Sequence, residues 1–224
     1  YEDFYQDDEL ADNRRVRSSC TLAFYLVRAR EQKSSLRLLR ILVEQAHNLC
    51  HYTSANEDTL LHHACTTENI SAIVLLLKQD QQCSCSDVTK ENGFNQTPMH
   101  RVLDATEMLQ GTKSVIVQLL INHAGDKLNR TFLKGNSRES LFAMIAKETN
   151  CLATFQLAVE TITSLPLNEK LRGWHETHTP MMAFARHGNI DAIQYIRSLV
   201  SPEEFNALVF EQQFDYIASQ NMHS

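Results

Sequence analysis

Glycine and proline are scarce in this chain: six Gly and four Pro in 224 residues. That scarcity argues against a linker-rich or fibrous protein, and no Gly-rich loop suited to cradling phosphate is present. Long apolar runs are missing as well. The stretch Ala72 to Leu77 is typical of the longest, far short of the roughly 20 residues that cross a bilayer. No N-terminal segment combines a basic flank, an apolar centre and a small-residue cleavage site. The sequence begins at Tyr1, so a fragment or processed product is expected. Cysteine is too sparse for a disulfide scaffold. Cys20, Cys50, Cys65, Cys83, Cys85 and Cys151 are scattered and read as free thiols of a cytoplasmic protein.

Charge is unevenly placed within a net −6. Glu2, Asp3, Asp7, Asp8, Glu9 and Asp12 form an acidic leader without a base, over residues 1–13 that are expected to be flexible. Residues 14–40 then carry Arg14, Arg15, Arg17, Arg28, Arg30, Lys33, Arg37 and Arg40 against the single acid Glu31. A basic first module could meet an acidic partner, but the plainer reading is a solvated helix face. The acidic total and the lack of an aromatic-rich basic strand disfavour nucleic acid.

What is present is repetition. Residues 59–77, TLLHHACTTENISAIVLLL, match residues 179–197, TPMMAFARHGNIDAIQYIR: Thr, then Glu or Gly nine residues on, Asn ten on and Ile eleven on. Weaker copies start at Thr97-Pro98-Met99-His100, Glu139-Ser140-Leu141-Phe142 and Cys20-Thr21-Leu22-Ala23. The starts near 20, 59, 97, 139 and 179 lie about 40 residues apart. Each copy reads as a short helix opened by a Thr N-cap, a polar break, and a second helix with an apolar stripe such as Ile70, Ile73, Val74 and Leu77. Neither helix can bury its own apolar face, so neighbouring copies must cover one another. In the third copy the second helix is expected at 114–121, after an insertion at 106–111. Turn-forming linkers are expected at 80–96, 122–138 and 165–177. Ser201-Pro202-Glu203-Glu204 signals a further helix start, so 201–224 reads as a C-terminal cap or the start of another domain.

These residues resemble the ankyrin-repeat family. Thr59-Leu60-Leu61-His62-His63-Ala64, Thr97-Pro98-Met99-His100 and Thr179-Pro180-Met181-Met182 follow its T-P-L-H-x-A opening. The resemblance implies an all-α solenoid of about five helix-turn-helix repeats with loop or hairpin connections, spanning residues 14–200. The period exceeds the family's usual 33 or so residues, which implies longer loops. The family favours Gly two residues before the Thr, where this chain has Glu57, Asn95 and Thr177. Asn tolerates positive φ but Glu and Thr do not readily, so irregular loops are expected at some of these tips.

The resemblance also implies what the chain does: non-catalytic binding of a partner protein, as a monomer, through the concave surface of loops and first helices. A substrate-docking or regulatory array of a multidomain enzyme, or of a bacterial effector acting in a host cytosol, is the alternative. His62 and His100 stand where the family uses His for structural hydrogen bonds. No cofactor, metal or catalytic residue is assigned. Cys83-Ser84-Cys85 near His62 and His63 lacks zinc spacing, and His175-Glu176-Thr177-His178 is not H-E-x-x-H. Six Cys and ten His produce Cys–His pairs by chance. The glycosylation-like triplets at Asn69, Asn95 and Asn129 are read as coincidence. The partner-binding candidates are Trp174, the single Trp, Phe94 in the matching place before Thr97, the first-helix residues His63, Arg101 and Arg186, and Arg138 in a neighbouring loop. Trp174→Ala is expected to weaken partner binding with little effect on thermal stability.

Overall fold

The structure is a computed structural model that describes residues 22–29, 33–45, 53–79, 87–128, 140–148, 151–171 and 179–209. Trp174, Arg138 and the Cys83-Ser84-Cys85 segment lie outside the described residues. The described residues are helical, without strands, and none of their helices is long and apolar enough to cross a membrane. The chain divides after Met108 into two compact units.

The first unit holds α1 (22–28), α2 (Lys33–Gln45), α3 (Leu60–Thr66), α4 (Ile70–Leu77) and α5 (Pro98–Leu103). First helices pack on first helices and second on second: α3 lies against α5 and α2 against α4, while α3 and α4 form the hairpin between them. Leu60, Leu61, Ala64, Cys65, Ile73, Leu76 and Met99 are buried in this unit. The apolar face that α3 and α4 cannot cover themselves is thus removed from water by their neighbours.

The second unit repeats the pattern with α6 (Gln110–Ala124), α7 (Leu141–Ala146), α8 (Leu152–Thr161), α9 (Leu167–Leu171), α10 (Pro180–Arg186), α11 (Ile190–Leu199) and α12 (202–209). Here α7 packs on α10 and on α8, α6 on α8, and α10 on α11. Phe155 of α8 is fully buried at the centre. It meets the rings of Phe142, Phe184 and Tyr195 edge-on, at centroid distances of 6.0, 4.9 and 6.5 Å. A partly buried ion pair joins Lys113 of α6 to Glu148 beyond α7 at 3.0 Å.

The two best-matched copies share their geometry in detail. Thr59 and Thr179 cap α3 and α10 by accepting from the backbone N–H of His62 and Met182. Both first helices end in a left-handed residue, Glu68 at φ +58° and Gly188 at φ +63°. The following Asn then donates its N–H five residues back, Asn69 to Ala64 O and Asn189 to Phe184 O. That Asn next caps the second helix, with φ/ψ of −84/80° at Asn69 and −82/79° at Asn189. Gly adopts the left-handed region freely, whereas Glu68 does so at a cost of about 1 kcal/mol. The cost is tolerated because Asn69 is anchored twice. It caps α4 and its Nδ2 also donates to Val27 O at 2.9 Å, tying this copy to α1. Ser201 and Glu204 form a reciprocal cap at the start of α12, matching the start signal there.

Three expectations are corrected. The loop before Thr59 forms a tight tip with Glu57 at φ +59°, against the expectation for Glu, as the loop before Thr97 does with Asn95 at φ +57°, which Asn tolerates. Glu57 is held left-handed by the turn around it. Ser54 N–H donates to Asp58 O, and Ser54 Oγ accepts from the backbone of Asn56 and Asp58. Asn92 Oδ1 plays the same part toward Phe94 and Gln96. Thr177 lies outside the described residues. The second helix of the third copy begins at Gln110, so the end of the expected insertion is helical. Within the expected linker at 165–177, α9 forms a single turn. It is fixed by burial of Leu171 and by Lys170 Nζ donating to Val159 O at 2.6 Å, with Asp126 accepting from Ser164 N–H and Thr163 Oγ1 just before it.

Candidate functional site

The two tips of the first unit are stacked by direct bonds. Gly93 N–H donates to Asn56 O at 2.8 Å, and Asn92 Nδ2 donates to the buried Asp58 carboxylate at 2.7 Å. A Cβ on residue 93 would stand 3.1 Å from Asn56 O, so this close approach explains the Gly. His62 completes the tie. Its Nδ1 accepts from Thr59 N–H at 3.1 Å and Oγ1 at 2.8 Å, which leaves Nε2–H to donate to Gln96 O at 2.9 Å. His100 Nδ1 accepts from Thr97 N–H and Oγ1 in the same way, at 3.2 and 2.8 Å. Both rings must be neutral to accept at Nδ1, and burial lowers both pKa values, that of His100 to about 4. These two histidines therefore work as brackets within the fold.

The stacked tips and first helices present a different set of side chains outward. Phe94 tops the second tip and is 59% exposed. Phe24, His63 and Arg101 occupy one register, four residues beyond the starts at 20, 59 and 97, and all three are partly exposed. Phe24 meets the His63 ring edge-on at a centroid distance of 4.9 Å. On the same ring, Arg28 Nη2 donates to Nδ1 at a long 3.5 Å. Burial lowers the His63 pKa, the Arg28 and Arg101 charges lower it further, and Asp58 opposes them. Arg28, Asp58 and Arg101 are thus all close enough for His63 to feel their charge.

This neighbourhood is polar and under-satisfied. Because a guanidinium can only donate, His63 Nδ1 is the acceptor and Nε2 carries the hydrogen. Among the described residues, neither His63 Nε2 nor Arg101 Nε has a hydrogen-bond partner, although both atoms are buried. Among the described residues, neither Arg28 nor Arg101 has an ion-pair partner.

Of the sequence candidates, His63 and Arg101 come together here and Phe94 stands on the adjoining tip. Arg186 is exposed on α10 of the second unit. Phe24 and Arg28 were not singled out from sequence, although Phe24 shares the register of His63 and Arg101 and could have been found that way. Burial pushes both described thiols up, Cys151 to about 11, so neither supplies a thiolate nucleophile at neutral pH. Comparison of the chain with protein-family models, with curated proteins and with solved structures returned no match in any of the three.

Proposed function

We propose that this chain is an ankyrin-type repeat array that recognises a partner protein without catalysing a reaction. The observation that carries the reading is the row Phe24, His63 and Arg101, which stands partly open on successive first helices beside the exposed tip residue Phe94. The shared cap geometry of the copies at 59–77 and 179–197, and the packing of first helix on first helix within each unit, support the repeat-array part. Rigid helices hold the row and the tips, so little order has to be created on binding. An aromatic and Arg anchor set is the type that concentrates binding energy. Trp174, Arg138 and Arg186 are proposed as separate anchors on the sequence argument alone.

Phe94→Ala tests the reading. An exposed residue of this kind changes stability by about 0.5 kcal/mol or less. The variant is expected to keep the wild-type unfolding midpoint while losing proteins that the wild type captures from a cell extract, as quantified by mass spectrometry. Unchanged capture by Phe94→Ala would count against this face.

A further inference from the structure

We propose that the face formed by Arg28, His63 and Arg101 takes a carboxylate side chain from an acidic segment of the partner. The inference rests on the docking reading above and adds the chemistry of what docks. Among the described residues whose charge reaches His63, two guanidinium groups stand against one carboxylate, Asp58, and His63 is neutral, so these sum to one positive charge. Asp58 is already engaged by Asn92, and neither Arg has an ion-pair partner among the described residues. A single carboxylate matches that vacancy in charge, and the planar fork of Arg suits it in shape. The donor hydrogens on His63 Nε2 and Arg101 Nε have no acceptor among the described residues. Phe24 and Phe94 add apolar area to either side of the charge.

The chain as a whole is negative, at −6. That field repels a polyanion at long range, but at physiological salt it is screened beyond about 8 Å. The local guanidinium pair therefore decides a short contact with a monoanionic side chain.

The test is a fluorescence-anisotropy titration with three labelled probes: a peptide of Glu, Asp and Leu, its Gln, Asn and Leu counterpart, and a single-stranded oligonucleotide. The acidic peptide is expected to bind, with the amide counterpart weaker by about tenfold or more, and Arg28→Gln and Arg101→Gln each weakening it by about tenfold. Arg37→Gln on α2 makes the same change in net charge on another helix and is expected to have little effect. Arg28 is exposed, so Arg28→Gln remains informative should Arg101→Gln fold poorly. Absence of binding, equal binding of the amide peptide, equal losses from Arg37→Gln, or tighter binding of the oligonucleotide would each overturn the proposal. If the acidic peptide fails while Phe94→Ala still strips captured proteins, the carboxylate assignment falls and the docking face stands. If both fail, the face itself is wrong.

Discussion

Lowering the pH from above 6.5 to about 4 should remove about 3 kcal/mol of stability through His100 alone. The ring is neutral and buried, accepting from Thr97 at Nδ1, and burial lowers its pKa from 6.5 to about 4. A group with a depressed folded pKa binds its proton more readily in the unfolded chain. Its contribution is therefore complete above pH 6.5 and is lost as pH falls toward 4. His62, held between Thr59 and Gln96 and also depressed by burial, adds loss in the same direction. Denaturant unfolding at a series of pH values checks this. The His62→Gln/His100→Gln variant should be less stable at neutral pH, and its stability should fall less steeply between pH 6.5 and 5. A wild-type slope in that variant would show that the two rings are not the titrating brackets.

The largest single-residue loss is expected from Phe155→Ala, at about 3–5 kcal/mol. Phe155 is fully buried and three aromatic rings from α7, α10 and α11 converge on it. Removing the ring leaves a cavity whose walls belong to three helices and cannot collapse together. Phe155→Leu keeps most of the volume and should cost less, about 1–2 kcal/mol. Denaturant midpoints with unchanged slopes would measure both. A loss below about 1 kcal/mol for Phe155→Ala would mean that the second unit is not organised around this ring.

Much of the local architecture was legible in the sequence. Thr59, Thr97 and Thr179 begin helices where a hydroxyl followed by an apolar run says they should. Asn69 and Asn189 open the second helices, and Ser201 opens α12. Where the reading fell short, backbone and tertiary contacts overrode local preference. Glu57 and Glu68 take positive φ against the habit of their type, because tip hydrogen bonds and the Asn69 anchor hold them. The single turn of α9 depends on Lys170 reaching Val159 O, a contact that composition does not announce.

The candidate site was half legible. His63 and Arg101 hold the same place in the first helices of their copies, which the repeat pattern alone makes visible. Arg28 was submerged in the basic run at 14–40, where one more Arg reads as a solvated charge. Its role follows from contact with His63, 35 residues away in sequence. That contact exists because the first helices stack. The orphaned donors on His63 and Arg101 likewise belong to the packed state.

Site-specific photo-cross-linking tests the central claim most directly. A benzophenone amino acid replaces Phe94 or Arg28 on the proposed face, and Leu38 of α2 or Val115 of α6 on second helices, where both are exposed. The account predicts that the first two positions cross-link to the same protein in cells, and that the second two do not. Cross-links of equal strength from all four positions, or from Leu38 and Val115 alone, would contradict it.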